Sequence, residues 1–189
     1  MATFSHSKLE TYRACPRRYK LKYVDRMRDT EEGVEAFAGS RVHEALERLY
    51  RSLAREHPVS LDDALDHYDL SWEHNWHERV KVVSTQYTPE DYREMGRRCI
   101  REYWHRYEPF DHGVVVGIER KVRFELDQQR DIVLQGYVDR IDRVDDGSYE
   151  IHDYKTGGYL PDQAQADTDS QLALYQLALE SMWRMMCVT

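Results

Sequence analysis

Between Gly136 and Lys155 two β-rich runs meet at Asp145-Asp146-Gly147, and this segment constrains the fold more than any other stretch of the chain. The pattern reads as a β-hairpin. Side chains alternate along a strand, so Asp153 and Lys155 point to one face while His152 and Tyr154 point to the other. The position of Asp139 depends on the turn. A three-residue loop, Asp145-Asp146-Gly147, with glycine at a left-handed position, pairs Val144 with Ser148 and sets Asp139 opposite Asp153. A two-residue loop, Asp146-Gly147, would set Asp139 opposite Tyr154 and turn its carboxylate to the wrong side. The odd-length turn is expected, because it brings two carboxylates to within ~5 Å on one face. Carboxylates that close repel unless one is protonated or a cation neutralises them, and a divalent cation is the better resolution beside a lysine.

Such an ion can hold a phosphate oxygen and lower the pKa of a bound water, while the lysine stabilises charge on phosphorus or orients the attacking water. Acid-x-Lys alone is a common accident, marking a solvated strand face more often than a catalyst, and Glu119-Arg120-Lys121 is a second case in this chain. The first case differs in having the upstream Asp139, an aligning turn, and Gly157-Gly158 directly after Lys155-Thr156.

The rest of the chain supplies the frame. Ser7 and Glu10 have capping-box spacing, and Pro16 suits the first turn of a second helix running to Tyr23. Val42, Ala45, Leu46, Leu49, Tyr50 and Leu53 form one buried helix face, with His43 beside it. From about Ser60 to Tyr107 two helices broken near Thr88-Pro89 are the simplest reading, with no visible chemistry. Strand-like runs follow at 114–118, 122–126, 132–144 and 149–154, and Gln171 to Met182 returns to helix. Helices, then strands, then a closing helix make an α+β chain with a mixed sheet flanked by helices. Its 189 residues, 41% hydrophobic, suit one domain, mainly helical over 1–112, with the sheet and closing helix over 113–189.

No run approaches a membrane span, the start lacks the apolar stretch of a signal peptide, and three dispersed cysteines (Cys15, Cys99, Cys187) fit a reducing compartment, so a cytoplasmic protein is expected. The net charge of -8 argues against a nucleic-acid partner, but the distribution answers it. Lys8 to Arg28 holds eight basic residues against two acidic ones, a local +6. There Arg17, Arg18, Lys20 and Lys22 are candidate DNA phosphate contacts, whereas Tyr19 and Tyr23, able in principle to stack on bases, are expected in the core.

Four separated blocks also resemble the RecB-like branch of the PD-(D/E)XK nuclease superfamily, which includes nuclease domains of repair helicases and CRISPR-associated exonucleases. They are Phe4 to Tyr12 with Cys15-Pro16-Arg17-Arg18-Tyr19; Gly39 to Leu46; Gly136 to Asp142 with Ile151 to Gly157; and Gln171-Leu172-Ala173-Leu174-Tyr175. The resemblance implies a restriction-endonuclease-like fold. It implies that His43, Asp139, Asp153 and the Tyr154 carbonyl bind Mg²⁺ or Mn²⁺, that Lys155 is catalytic, and that Glu119 is a further acid near the ion. Gln171 and Tyr175, four apart on one helix face, count with the catalytic residues, although a helix that merely packs explains its leucines. An imidazole ligand favours Mn²⁺ over Mg²⁺. Some relatives hold an iron-sulfur cluster through four cysteines; with three in this chain, none is expected. The implied activity is hydrolysis of DNA, at ends or in single strands, in repair, recombination or defence. The alternatives are a non-catalytic DNA-binding scaffold working with a helicase, and a hydrolase of another phosphate ester.

Overall fold

A computed structural model describes residues 2–27, 30–127, 132–157 and 162–184; Arg28, Gly158 and Cys187 lie outside them. The chain opens with β1 (Ala2–Phe4) and α1 (His6–Ala14), whose N-cap is Ser5 rather than Ser7. Ser5 Oγ accepts from the Lys8 backbone N–H at 3.2 Å, so the helix begins two residues earlier than the capping-box spacing suggests. Cys15 Sγ caps α2 (Pro16–Tyr19), with Pro16 in its first turn, and the helix widens into a π-type turn over Lys20–Val24. β2 (Glu32–Gly33) leads into α3 (Val34–Leu53), followed by α4 (Leu61–Asn75), β3 (Val80–Lys81) and α5 (Pro89–Tyr107). Ser60 with Asp63 and Thr88 with Asp91 form capping boxes that start α4 and α5; α5 begins at the expected Thr88-Pro89, but α4 already ends at Asn75 and β3 lies in the gap. The sheet strands are β4 (Val114–Asp127), β5 (Ile132–Arg143) and β6 (Tyr149–His152), and α6 (Gln163–Asp167) and α7 (Ser170–Arg184) close the fold.

Two apolar cores result. One lies among α3, α4 and α5, where Phe37, Leu49, Tyr68 and Ile100 are buried and Phe37 meets Trp72 edge-on at 5.0 Å. Burying each such side chain contributes roughly 1.5–3 kcal/mol. The other joins the sheet to α7 through Val122, Val138, Ile141, Tyr175, Ala178 and Leu179. The buried face of α3 is the one read from the sequence, extended back to Val34, Phe37 and Ala38.

The sheet is mixed because of β1. β5 pairs antiparallel with β4 along one edge; its other edge takes β1 in parallel at 132–134 and β6 antiparallel at 140–143. The two runs at 114–118 and 122–126 are one strand and not two. β4 continues through Glu119, which absorbs the expected turn as a left-handed residue at φ 47° while the pairing with β5 keeps one register from Gly117 to Glu125. The hairpin turn has the odd length expected: the Val144 N–H donates to Ser148 O, the Gly147 N–H donates to Val144 O, and Gly147 sits at φ 83°. Arg143 therefore faces Tyr149 and Arg140 faces His152, and one further step would set Asp139 against Asp153. Among the described residues no helix is long and apolar enough to cross a membrane.

Candidate active site

The β5–β6 ladder ends at Arg140 and His152, and beyond it the Asp139 side chain takes over from the backbone. The Tyr154 N–H donates to Asp139 Oδ2 at 2.6 Å, and the Tyr154 carbonyl accepts from His43 Nε2 at 3.0 Å. One residue's backbone thus fixes both a carboxylate on β5 and an imidazole on α3. With Nε2–H donating to a carbonyl, Nδ1 faces Asp139 Oδ1 at 3.5 Å. Both ring nitrogens then face acceptors, an arrangement that calls for a positive charge at Nδ1, either a proton or a metal ion. Burial opposes protonation of His43, but its hydrogen bond to Asp139, with the Tyr154 carbonyl and the Asp139 and Glu119 charges, more than offsets this and holds the imidazole above its ordinary value.

Glu119 completes the group. It lies on β4 between Ile118, which faces Arg140, and Arg120, which faces Val138, and so stands beside Asp139. Ligand atoms of His43, Glu119 and Asp139 all lie within 4.8 Å of one another. Nitrogen and carboxylate oxygen donors at this spacing suit Mn²⁺ or Mg²⁺, so the residues present fit such an ion. Desolvation raises the Glu119 pKa, and the Asp139 and Glu47 charges raise it further. Glu35, Glu44 and Glu47 line the same open cleft, so a phosphate meets repulsion there unless a cation intervenes.

The left-handed backbone of Glu119 stores strain of roughly 1–3 kcal/mol for a residue with a Cβ. Glu119→Gly is therefore expected to unfold at a higher temperature than Glu119→Ala, by about 1 kcal/mol of stability, although both remove the carboxylate. Equal melting temperatures for the two variants would show that position 119 is unstrained.

Asp153 stands apart from that group. Its Oδ2 is ion-paired with Lys155 Nζ, and its Oδ1 accepts from Gln171 Nε2 at 2.8 Å. Burial raises the Asp153 pKa and Lys155 opposes the rise. The Gln171 amide spans the pair: Oε1 accepts from Lys155 Nζ at 3.1 Å, and Nε2 also lies 3.0 Å from Tyr175 Oη. Tyr175 is buried against Gly136, where a Cβ would stand 2.7 Å from its ring, so β5 needs glycine for α7 to seat. Gln171 therefore reaches the site edge, while Tyr175 packs with Ala178 and Leu179 and meets it through its hydroxyl.

Of the basic candidates, Arg17, Arg18, Lys20 and Lys22 are all exposed. The tyrosines depart from expectation. No residue of α1, α2 or the following turn is buried, and Tyr19 and Tyr23 instead form a small cluster with Tyr12, with Lys8 over their rings. This amphipathic segment packs its rings on its own cation and not in either core.

One group escaped the sequence reading. Arg140, 2% exposed, is enclosed by Tyr50 of α3, Tyr103 of α5, Tyr154 and His152, and pairs with buried Asp142 at 3.1 Å. It clamps the ring of the same Tyr154 whose backbone holds His43 and Asp139. Nothing local in Asp139-Arg140-Ile141-Asp142 signals it, because the enclosing tyrosines come from distant positions.

No curated protein matches the chain. The model of the PD-(D/E)XK nuclease superfamily matches residues 3–187, which takes in every element above save Ala2 at the start of β1, and the chain belongs to that superfamily.

Proposed function

We propose that the chain is a divalent-metal-dependent deoxyribonuclease of the RecB-like branch, hydrolysing phosphodiester bonds at DNA ends or in single strands, in repair, recombination or defence. The observation that carries this reading is the convergence of His43, Glu119 and Asp139 within 4.8 Å, next to the Asp153, Lys155 and Gln171 cluster. His43 Nδ1, Glu119 and Asp139 would hold Mn²⁺ or Mg²⁺, with Asp153 reaching it once released from Lys155. The Tyr154 carbonyl orients His43 in this arrangement and would have to give up that bond to act as a ligand itself. When bound, the ion supplies a Lewis acid for a phosphate oxygen and a more acidic water. Lys155 then donates to the phosphate or aligns the water, and Gln171 sets the ammonium's position. Tyr175 holds the Gln171 amide in place. Arg17, Arg18, Lys20 and Lys22 contact DNA phosphates away from the scissile bond, and a helicase or another repair or defence protein would deliver the DNA.

The test is cleavage of labelled linear, circular and single-stranded DNA with Mn²⁺, Mg²⁺ or chelator, beside Lys155→Ala. Cleavage is expected with either ion, to stop with chelator, and to fall about 10²–10³-fold in kcat for the variant. Undiminished cleavage by Lys155→Ala would remove the lysine from the mechanism; cleavage in chelator would remove the metal. Mg²⁺ binding as tight as Mn²⁺ would count against direct ligation by His43.

A further inference from the structure

The solvent-facing stripe of α3 does not end at the metal cleft. Glu44 and Glu47 border the cleft of His43, Glu119 and Asp139 on one side, and on the other they border a second groove walled by Arg48, Arg51, Arg55 and His67. Arg48 and Arg51 lie four and seven residues after Glu44 on one face of α3, and Arg55 extends that row in the turn after the helix ends at Leu53. At 1.5 Å per residue Arg48 and Arg51 stand ~7.5 and ~12 Å beyond His43 along the axis.

The acids at the border are committed. Glu44 is held by Arg41 and Ser71, and Glu47 by Arg51 at 2.6 Å. Two of the three arginines beyond are not. Arg48 and Arg55 are exposed, and among the described residues neither guanidinium makes an ion pair or a hydrogen bond. Most other arginines of α3 and α5 are paired: Arg41 and Arg51 as above, Arg93 and Arg97 with Asp69, and Arg101 with Glu94. Asp63, whose charge reaches Arg48, is engaged in capping α4 through Ser60. In a chain of net charge -8, two unpaired arginines in a groove opening from the metal cleft stand ready for an anion.

We infer that this groove binds the backbone phosphates of the nucleic-acid strand flanking the scissile bond, with Arg48 and Arg55 as the principal contacts. The inference rests on the nuclease reading above and adds to it a path for the strand along α3, separate from the basic N-terminal segment.

The test is steady-state cleavage of a labelled single-stranded oligodeoxynucleotide with Mn²⁺ across a salt series. It compares wild type, Arg48→Gln/Arg55→Gln, and Arg17→Gln/Arg18→Gln. Both positions in the groove are exposed, so folding is not at risk, and an unchanged melting temperature verifies this. Losing two phosphate contacts is expected to raise KM roughly tenfold and to make log(kcat/KM) against log[salt] shallower by about 1.4. The loss should fall on KM, since neither arginine reaches the reacting atoms. If the wild type cleaves and the groove variant keeps its KM and salt slope, the groove proposal is overturned while the nuclease reading stands. If the wild type cleaves no nucleic acid under any metal, both fall together.

Discussion

Asp139→Asn is expected to abolish the rise in melting temperature that Mn²⁺ gives the wild-type protein, and cleavage with it. The substitution is nearly isosteric, and an asparagine oxygen can still accept the Tyr154 N–H now held at 2.6 Å, so the junction of β5 with the segment after β6 survives. What disappears is the charge. In the metal-free protein that charge acts both ways: beside the larger effect of desolvation it raises the pKa of both Glu119 and Asp153, and it supports protonation of His43. Removing it relieves that repulsion and forfeits the charge facing His43, so the metal-free variant should melt close to wild type. With metal present the order reverses. A ligand that binds only the folded state at a hundred times its Kd adds about 2.7 kcal/mol to stability, and this increment is what the variant should lack. Cleavage should drop by at least about 10³-fold, because the scissile phosphate loses the site for the cation that would neutralise it. A Mn²⁺-induced shift in Asp139→Asn equal to that of wild type would exclude Asp139 as a ligand.

The same residue shows what could be read from the sequence and why the rest was hidden. Its register against Asp153 follows from the turn at Asp145-Asp146-Gly147, a local feature in which glycine at positive φ sets loop length and loop length sets the facing pairs. The stripe on α3 was equally legible because a single helix face repeats within the helix itself. Non-local features were not. β1 is three residues that pair with a strand about 130 positions later, and nothing in Ala2-Thr3-Phe4 announces it. Glu119 sits where two strand runs read as separate elements, because a strand that continues through a left-handed residue has the composition of a strand, a turn and a strand. The superfamily resemblance was what pointed to it. The tyrosines of the N-terminal segment were placed in a core on composition, but a segment with no buried residue has no core to offer them. The Arg140 enclosure was invisible for a similar reason: its tyrosines lie at 50, 103 and 154, on α3, on α5 and in the segment after β6, which only the fold brings together.

Arg140→Met is expected to destabilise the fold by about 3–5 kcal/mol, and Arg140→Met/Asp142→Leu to recover most of that loss. Arg140 sits 3.9 Å over the Tyr50 ring, its Nη2 lies 2.9 Å from His152 Nε2, and its Nη1 donates to the Tyr103 and Tyr154 hydroxyls. Burial pushes the Tyr50 and Tyr154 phenols far above their ordinary range, so neither can supply a compensating negative charge. Asp142, 3% exposed, is the arginine's counterion at 3.1 Å. Removing the arginine alone leaves that carboxylate buried with only the His152 imidazole, 3.3 Å away, to face it, whereas removing both leaves no buried charge, and the Tyr50 and Tyr103 hydroxyls still bond each other at 2.7 Å. The double variant separates stability from function. It keeps the fold but releases the Tyr154 ring, and Tyr154 holds His43 through its carbonyl and Asp139 through its N–H. Mn²⁺ affinity of the double variant should therefore stay below that of wild type even where the melting temperature has recovered. A double variant no more stable than Arg140→Met would refute the ion-pair account, and full Mn²⁺ affinity in a stable double variant would show that the site does not depend on the clamped ring.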